Sequence, residues 1–151
     1  ISNLINSEEG VLFLEVAALA DDGTNRYISI SNSALPYDNY LLFRFMSTSN
    51  RVLARARVGG VTINTMEKTI SDTTAFNKFA IKWKSGDYAF WINGVEELVD
   101  TSSPVFAANT LNEIEFSFPA AGGGGFPSKV KQLQVFKTAL TDSELIALTT
   151  I

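Results

Sequence analysis

Chemistry in this chain must be done without its two commonest reagents. Among 151 residues there is no histidine and no cysteine. That removes the usual general base near neutral pH, the commonest metal ligand and every thiolate reaction. Four groups of residues remain. Glu113 and Glu115 alternate with Asn112, Ile114 and Phe116, so both carboxylates fall on one face of an extended strand. A retaining glycosidase needs such a pair, its carboxyl groups ~5–5.5 Å apart and differently tuned; the plainer reading is two solvated glutamates on an outer face. Arg51, Arg55 and Arg57 share a face with Leu53, and Arg44 lies on the preceding strand. Guanidinium forks pair bidentately with carboxylates, so this stripe could hold an acidic sugar or a carboxylate-bearing partner. The alternative is a solvated face paired with Asp and Glu, and surface pairs report function weakly. Trp91 alternates away from its apolar neighbours, onto the face of Lys82, Lys84 and Ala89, where an indole could stack on a sugar. The stronger reading of Trp91 is packing beneath a loop that covers the sheet. Asp21, Asp38 and Asp72 lie in polar loops and are the candidates for Ca²⁺, although Asp is also a common turn residue for backbone reasons. None of these loops forms a recognised calcium-binding signature.

The elements that must position these groups are short strands. In Phe76–Val99, Phe79, Ile81 and Trp83 alternate with Ala80, Lys82 and Lys84; after Ser85-Gly86, Tyr88, Phe90 and Ile92 alternate with Asp87, Ala89 and Trp91. A Ser-Gly turn pairing Lys84 with Asp87 sets Trp83 opposite Tyr88, Ile81 opposite Phe90 and Phe79 opposite Ile92. A slip of one residue would send every large apolar group to the wrong face. Asn93-Gly94 then marks a second hairpin, because a type I′ turn needs φ > 0 at both central positions. Before this unit, strands are expected at Val11–Ala18, Arg26–Ser31, Tyr40–Met46, Arg51–Val58 and Val61–Met66. After it they are expected at Val95–Val99, Leu111–Phe118 and Lys129–Lys137, the last with a bulge near Gln132. Ile114, Phe116 and Phe118 should join the core. The stretch 120–125 (AAGGGG) reads as a flexible tip and not a phosphate loop, since no Lys-Ser/Thr follows it. Thr141-Asp142-Ser143-Glu144 is a capping box opening one short helix through about Leu148, which should dock through Leu145 and Leu148.

About ten strands and one terminal helix predict an all-β, two-sheet antiparallel jelly-roll sandwich forming one domain over residues 1–151. The 46% hydrophobic content argues against disorder, and the net charge of −4 disfavours a nucleic-acid partner. No run of residues approaches a membrane span. The chain begins at Ile1, which reads as a piece of a longer polypeptide.

Two segments carry a resemblance. FNKFAIKWKSGDYAFWINGVEE, with its Trp91-Ile92-Asn93-Gly94 turn, and FPSKVKQLQVFKTALTDSELIAL resemble the concanavalin A-like lectin/glucanase superfamily, in particular laminin G-like modules of bacteriophage tail, virion and bacterial surface proteins. SEEGVLFLEVAALADDGTNRYISIS is similar to the first hairpin of such modules. The likeness implies a non-catalytic, lectin-like module of a phage tail or virion protein that attaches to host surface glycan, for which Trp91, Lys82, Arg44, Arg55 and Arg57 are the candidate contacts read from their strand faces. The alternative it implies is a decoration domain binding other virion proteins; a bacterial surface module or a glycoside hydrolase comes after these. It also implies a virion or cell-surface location and oligomerisation through the parent protein. One departure bears on catalysis: glucanase members alternate Glu, Asp, Glu along one strand, whereas here the middle position is Glu115 and the third is Ser117. A second is Glu97, which stands where alternation wants an apolar residue and points to a bulge or a frayed edge.

Overall fold

The structure is a computed structural model, and it describes residues 2–119 and 124–151. Ten strands follow a short 3-10 turn at Ser2–Leu4: β1 (Glu9–Ala18), β2 (Arg26–Ser31), β3 (Tyr40–Phe45), β4 (Arg51–Val58), β5 (Val61–Thr69), β6 (Asn77–Lys84), β7 (Tyr88–Ile92), β8 (Val95–Asp100), β9 (Glu113–Glu115) and β10 (Ser128–Phe136). Helix α1 spans Asp142–Thr149. The strands form two five-stranded sheets, β10-β1-β6-β7-β8 and β5-β4-β3-β2-β9, called here sheets one and two. Every adjacent pair is antiparallel. This is the expected jelly-roll sandwich. No helix among the described residues is long and apolar enough to cross a membrane.

The central hairpin has the expected register, with Phe79 opposite Ile92 and Ile81 opposite Phe90. Its turn differs in its charges. Asp87 N–H donates to Lys84 O, as a two-residue turn requires, but the Asp87 carboxylate pairs with Lys82 at 2.6 Å while Lys84 reaches Glu9 at 3.4 Å. Asn93 and Gly94 take φ of 50° and 84°, the two positive values a type I′ turn demands. Glu97 is the extra residue of a bulge: Trp91 faces Glu96 and Phe90 faces Leu98. In β10 the pairing jumps from Gln132 to Val130, which leaves Lys131 unpaired next to the predicted position.

Between the sheets lies the main core, in which Phe79, Ile81, Trp83, Tyr88, Phe90 and Ile92 are all buried. Leu12 and Leu14 of β1, Ile28 and Ile30 of β2, and Phe43 and Phe45 of β3 meet them from their own inner faces. The tail of the predicted strand 111–118 departs from expectation. Strand β9 pairs with β2 over only three positions. Beyond it Ser117 bridges Gly125, and Ser29 Oγ donates to Ser117 O at 3.0 Å. Ile114 therefore packs on the main core, Phe116 is half exposed, and Phe118 crosses to the outer face of sheet two. Alternation stops where the ladder stops, because only paired backbone keeps the pleat. The first four residues of the predicted 120–125 tip lie outside the described residues.

Candidate functional site: the outer face of sheet two

Period-two alternation sends Leu41, Phe43 and Phe45 inward and leaves Tyr40, Leu42 and Arg44 on the outer face of β3. The register then fixes their neighbours on β4: Arg57 opposite Tyr40, Arg55 opposite Leu42 and Leu53 opposite Arg44. Strand β2 contributes Tyr27, Ser29 and Ser31 on the other side, and β9 adds Glu113 opposite Ser31 and Glu115 opposite Ser29. Tyr40, Leu42 and Leu53 form a fully buried floor under Tyr27, Met46 and Phe118. Phe118 is the hub of an aromatic cluster, with ring centroids 5.3 Å from Tyr27, 6.2 Å from Tyr37 and 6.0 Å from Tyr40. Gly124 lies under the Tyr27 ring, where a Cβ would stand 3.0 Å from Cε2.

Arg44, Arg55 and Arg57 are half-buried on this floor, and among the described residues none has a carboxylate within ion-pair distance. Only Arg51 of the stripe is paired, to Glu67 at 3.0 Å. The solvated, acid-paired alternative thus fits Arg51 and fails for the other three. Arg55 Nε donates to Thr65 Oγ1 at 3.2 Å. The Nε groups of Arg44 and Arg57 and the hydroxyl of Ser31 are buried with no hydrogen-bond partner. A half-buried guanidinium without a counter-charge is costly, which makes it a ready receptor for an anion.

Glu113 and Glu115 border the same face. Burial, then the charge of Glu115, raises the carboxyl of Glu113 above its ordinary value. Two carboxylates on alternate residues repel, and a hydroxyl or amide donor would relieve them. Ser117 Oγ donates to Glu115 at 3.3 Å.

The other candidates fall elsewhere. Trp91 and Lys82 lie on the outer face of sheet one, across the sandwich from the arginines. Helix α1 covers them. Leu145 is buried in a cluster with Val11, Ala80, Ala89 and Trp91, with Phe136 and Leu140 packed against it. Trp91 is 3% exposed and Lys82 5%. Lys82 Nζ is held by Asp87 at 2.6 Å and Asp142 at 3.9 Å. The expectation that Trp91 and Lys82 join the arginines in one open site is therefore corrected: the indole packs under a helix, where the sequence reading had offered a loop, and neither side chain presents a surface to a sugar. The docking itself follows expectation at Leu145, with Leu148 half-buried. Thr141 and Glu144 close the capping box, Thr141 N–H donating to the Glu144 carboxylate at 2.8 Å and Glu144 N–H to Thr141 Oγ1 at 3.4 Å.

Asp21, Asp38 and Asp72 are not brought together. Asp21 accepts from Ser49 Oγ and Asn50 N–H, and Asp72 from the Thr74 N–H and hydroxyl at 2.8 and 2.7 Å. Asp38 uses its carbonyl to accept from Gly60 N–H at 2.9 Å. Among the described residues no group of three or more His, Cys, Asp or Glu is gathered to hold a metal ion. These aspartates hold turns.

Sequence reading missed Tyr27, Tyr37, Tyr40 and Phe118. The signal for Tyr27 was available in its alternation with Ile28 and Ile30. Tyr37 is in a loop and Phe118 beyond a strand end, where periodicity says nothing.

No protein-family model matches the chain, and no curated protein matches it in sequence. Solved structures match in fold. The carbohydrate-binding module (CBM40) of the Ruminococcus gnavus intramolecular trans-sialidase, solved with α2,3-sialyllactose bound, superposes with a TM-score of 0.76 at 18% identity, covering 95% of this chain and 83% of that one. The Streptococcus pneumoniae sialidase NanB gives 0.71 at 13% identity, covering 99% of this chain and a 25% portion of that one. A pentraxin from Limulus polyphemus gives 0.66 at 12% identity, covering 95% and 70%. At such identities the likeness is one of fold, a jelly-roll sandwich.

Proposed function

We propose that this chain is a non-catalytic, lectin-like carbohydrate-binding module that takes an acidic glycan on the outer face of sheet two. The observation that carries this reading is the trio Arg44, Arg55 and Arg57, half-buried over a tyrosine-rich floor with no carboxylate to neutralise them. An acidic sugar supplies what the face lacks. Its carboxylate meets a guanidinium fork, its C–H surface meets an aromatic ring, and its hydroxyls or amide donate to Glu113 and Glu115. The fold neighbours support the choice of acid, since the Ruminococcus module was solved with both α2,3- and α2,6-sialyllactose. An acidic glycan is thus the leading ligand class.

The setting follows the sequence resemblance to laminin G-like modules. The module belongs to a phage tail or virion protein and attaches the particle to host surface carbohydrate. Single-site affinity is weak, because each hydrogen bond to a sugar nets only ~0.5–1.5 kcal/mol after water is displaced. Several copies on one particle supply the avidity. Glu113 and Glu115 act as acceptors and carry out no hydrolysis.

A glycan array probed with the multivalently displayed module tests this reading. Acidic glycans should bind, more weakly as salt rises, and the combined variant Arg44→Met, Arg55→Met, Arg57→Met should lose them while keeping its circular dichroism. Methionine keeps an apolar stem over Leu42 and Leu53 while removing the charge. Binding of neutral glycans alone, or binding that survives the triple variant, would refute it. Silence on the array with retention on virion proteins would favour the decoration role.

A further inference from the structure

The three unpaired arginines are not equivalent. Arg44 and Arg57 share two features that Arg55 lacks. Each has a buried Nε without a partner. Each also sets its guanidinium over a tyrosine ring, Arg44 at 5.9 Å from the Tyr27 centroid and Arg57 at 4.4 Å from that of Tyr37. A tyrosine ring attracts a guanidinium through its π face but brings no counter-charge, so each cation can still pair with a carboxylate. Arg55 instead spends its Nε on Thr65. The outer face therefore repeats one arrangement twice, arginine over tyrosine with no carboxylate partner among the described residues, although Arg57 Nη1 donates to Thr62 Oγ1 at 3.4 Å.

Their separation follows from the register. Arg57 stands opposite Tyr40, and Arg44 lies four residues further along β3. At a rise of roughly 3.3 Å per residue the two positions are about 13 Å apart along the sheet. Leu42, Leu53 and the Arg55 stem lie between them. Each arginine is also set on its own ring, Tyr27 or Tyr37, so the two positions are distinct along the face.

We infer that this face holds two separate anion sockets, Arg44 with Tyr27 and Arg57 with Tyr37, and that it takes an acidic oligosaccharide carrying carboxylates on alternate sugar residues. The intervening sugar lies across the middle of the face, where Arg55 can donate to its hydroxyls. This inference rests on the proposed glycan-binding function and specifies its ligand: a repeating acidic chain bound along its length, in place of a single terminal acid bound at its tip.

Isothermal titration separates the two. The probes are a tetrasaccharide of alternating glucuronate and N-acetylglucosamine, with two carboxylates, the corresponding disaccharide with one, and 3′-sialyllactose with one. The tetrasaccharide should bind roughly tenfold or more tighter than the disaccharide, because its second acid engages intramolecularly. Arg44→Met and Arg57→Met, made singly, should each bring the tetrasaccharide down to the disaccharide's affinity. For the two mono-acid ligands each single variant should halve the titrated stoichiometry, since one of two sockets is removed. Arg→Gln replacements at the same positions repeat the measurement if a methionine variant melts early. Equal affinity for tetrasaccharide and disaccharide would overturn the inference while leaving the glycan-binding function standing. So would loss of all mono-acid binding in one single variant with no effect of the other, the mark of one site. Absence of binding by all three probes would remove the inference and the function beneath it together.

Discussion

The two outer faces of this sandwich are built by the same alternation and end in opposite conditions. On sheet one the outward residues near the centre are small or apolar: Val11, Ala80, Ala89 and Trp91. The two alanines leave room for Leu145, and helix α1 settles there. Its C-terminal end is tied down, Gly94 N–H donating to Thr149 Oγ1 at 3.1 Å and Lys78 Nζ to Thr150 O at 2.8 Å. Lys82, buried on this face, receives Asp87 and Asp142 as counter-charges. On sheet two the outward residues are arginines and tyrosines, no helix docks, and three guanidinium groups keep no carboxylate among the described residues. A charge buried by the fold is neutralised by the fold; a charge left at an open face without a partner is available to a ligand. The difference separates cations paired within the fold from cations left without a carboxylate, where residue type cannot.

The largest effect that should sharpen this contrast comes from the covered face. Trp91→Ala should cost about 3–5 kcal/mol in urea denaturation, the range for emptying a buried aromatic site, and leave glycan binding per folded molecule unchanged. Intact stability with lost binding would reverse the assignment of the two faces. Thr141→Ala should cost about 1 kcal/mol by removing the N-cap of α1, read as a lower melting temperature. An unchanged melting temperature would mean that the helix does not need its cap to hold the covered face. On the open face, the triple arginine-to-methionine variant should stay within about 0.5 kcal/mol of the parent in denaturation while losing acidic glycan. A large loss of stability there would make these arginines structural.

The smallest effects are in pH dependence, and their signs differ. Glu113, raised by burial and by Glu115, holds its proton more tightly folded than unfolded. Its contribution is present below the ordinary 4.5 and is lost as pH rises through the raised value. Glu113→Gln should flatten that part of the stability profile, and an unaltered profile would show that the two glutamates do not interact. Asp100 behaves oppositely. Burial alone would raise it, but hydrogen bonds from Ser103 and Ser102 outweigh burial and hold it at about 2, below the ordinary 3.8. Its contribution is present above 3.8 and is lost as pH falls toward about 2. Asp100→Asn should remove that acid limb without touching the glycan face; a limb that persists would assign it to other carboxylates.

Much of the fold was legible in the order of residues, for reasons that are local. Alternation assigned Phe79, Ile81 and Trp83 to one side of a strand and Lys82 to the other. Asn93-Gly94 specified a turn through its φ requirement, Glu97 announced a bulge by breaking period, and Thr141 with Glu144 marked a helix start. Each of these depends on neighbours a few residues away. What an outward residue meets does not. Trp91 and Arg57 carry the same local label, outward on a strand, yet one lies under a helix that begins fifty-one residues later and the other on an open floor. Phe118 was assigned to the core by a period that its strand did not sustain. The site needs β2, β3, β4 and β9 side by side, with Tyr37 and Phe118 brought in from outside the ladder. The order of strands in the sheets and the resting place of α1 decided that, because period two says which side of a strand a residue takes and is silent on what covers that side.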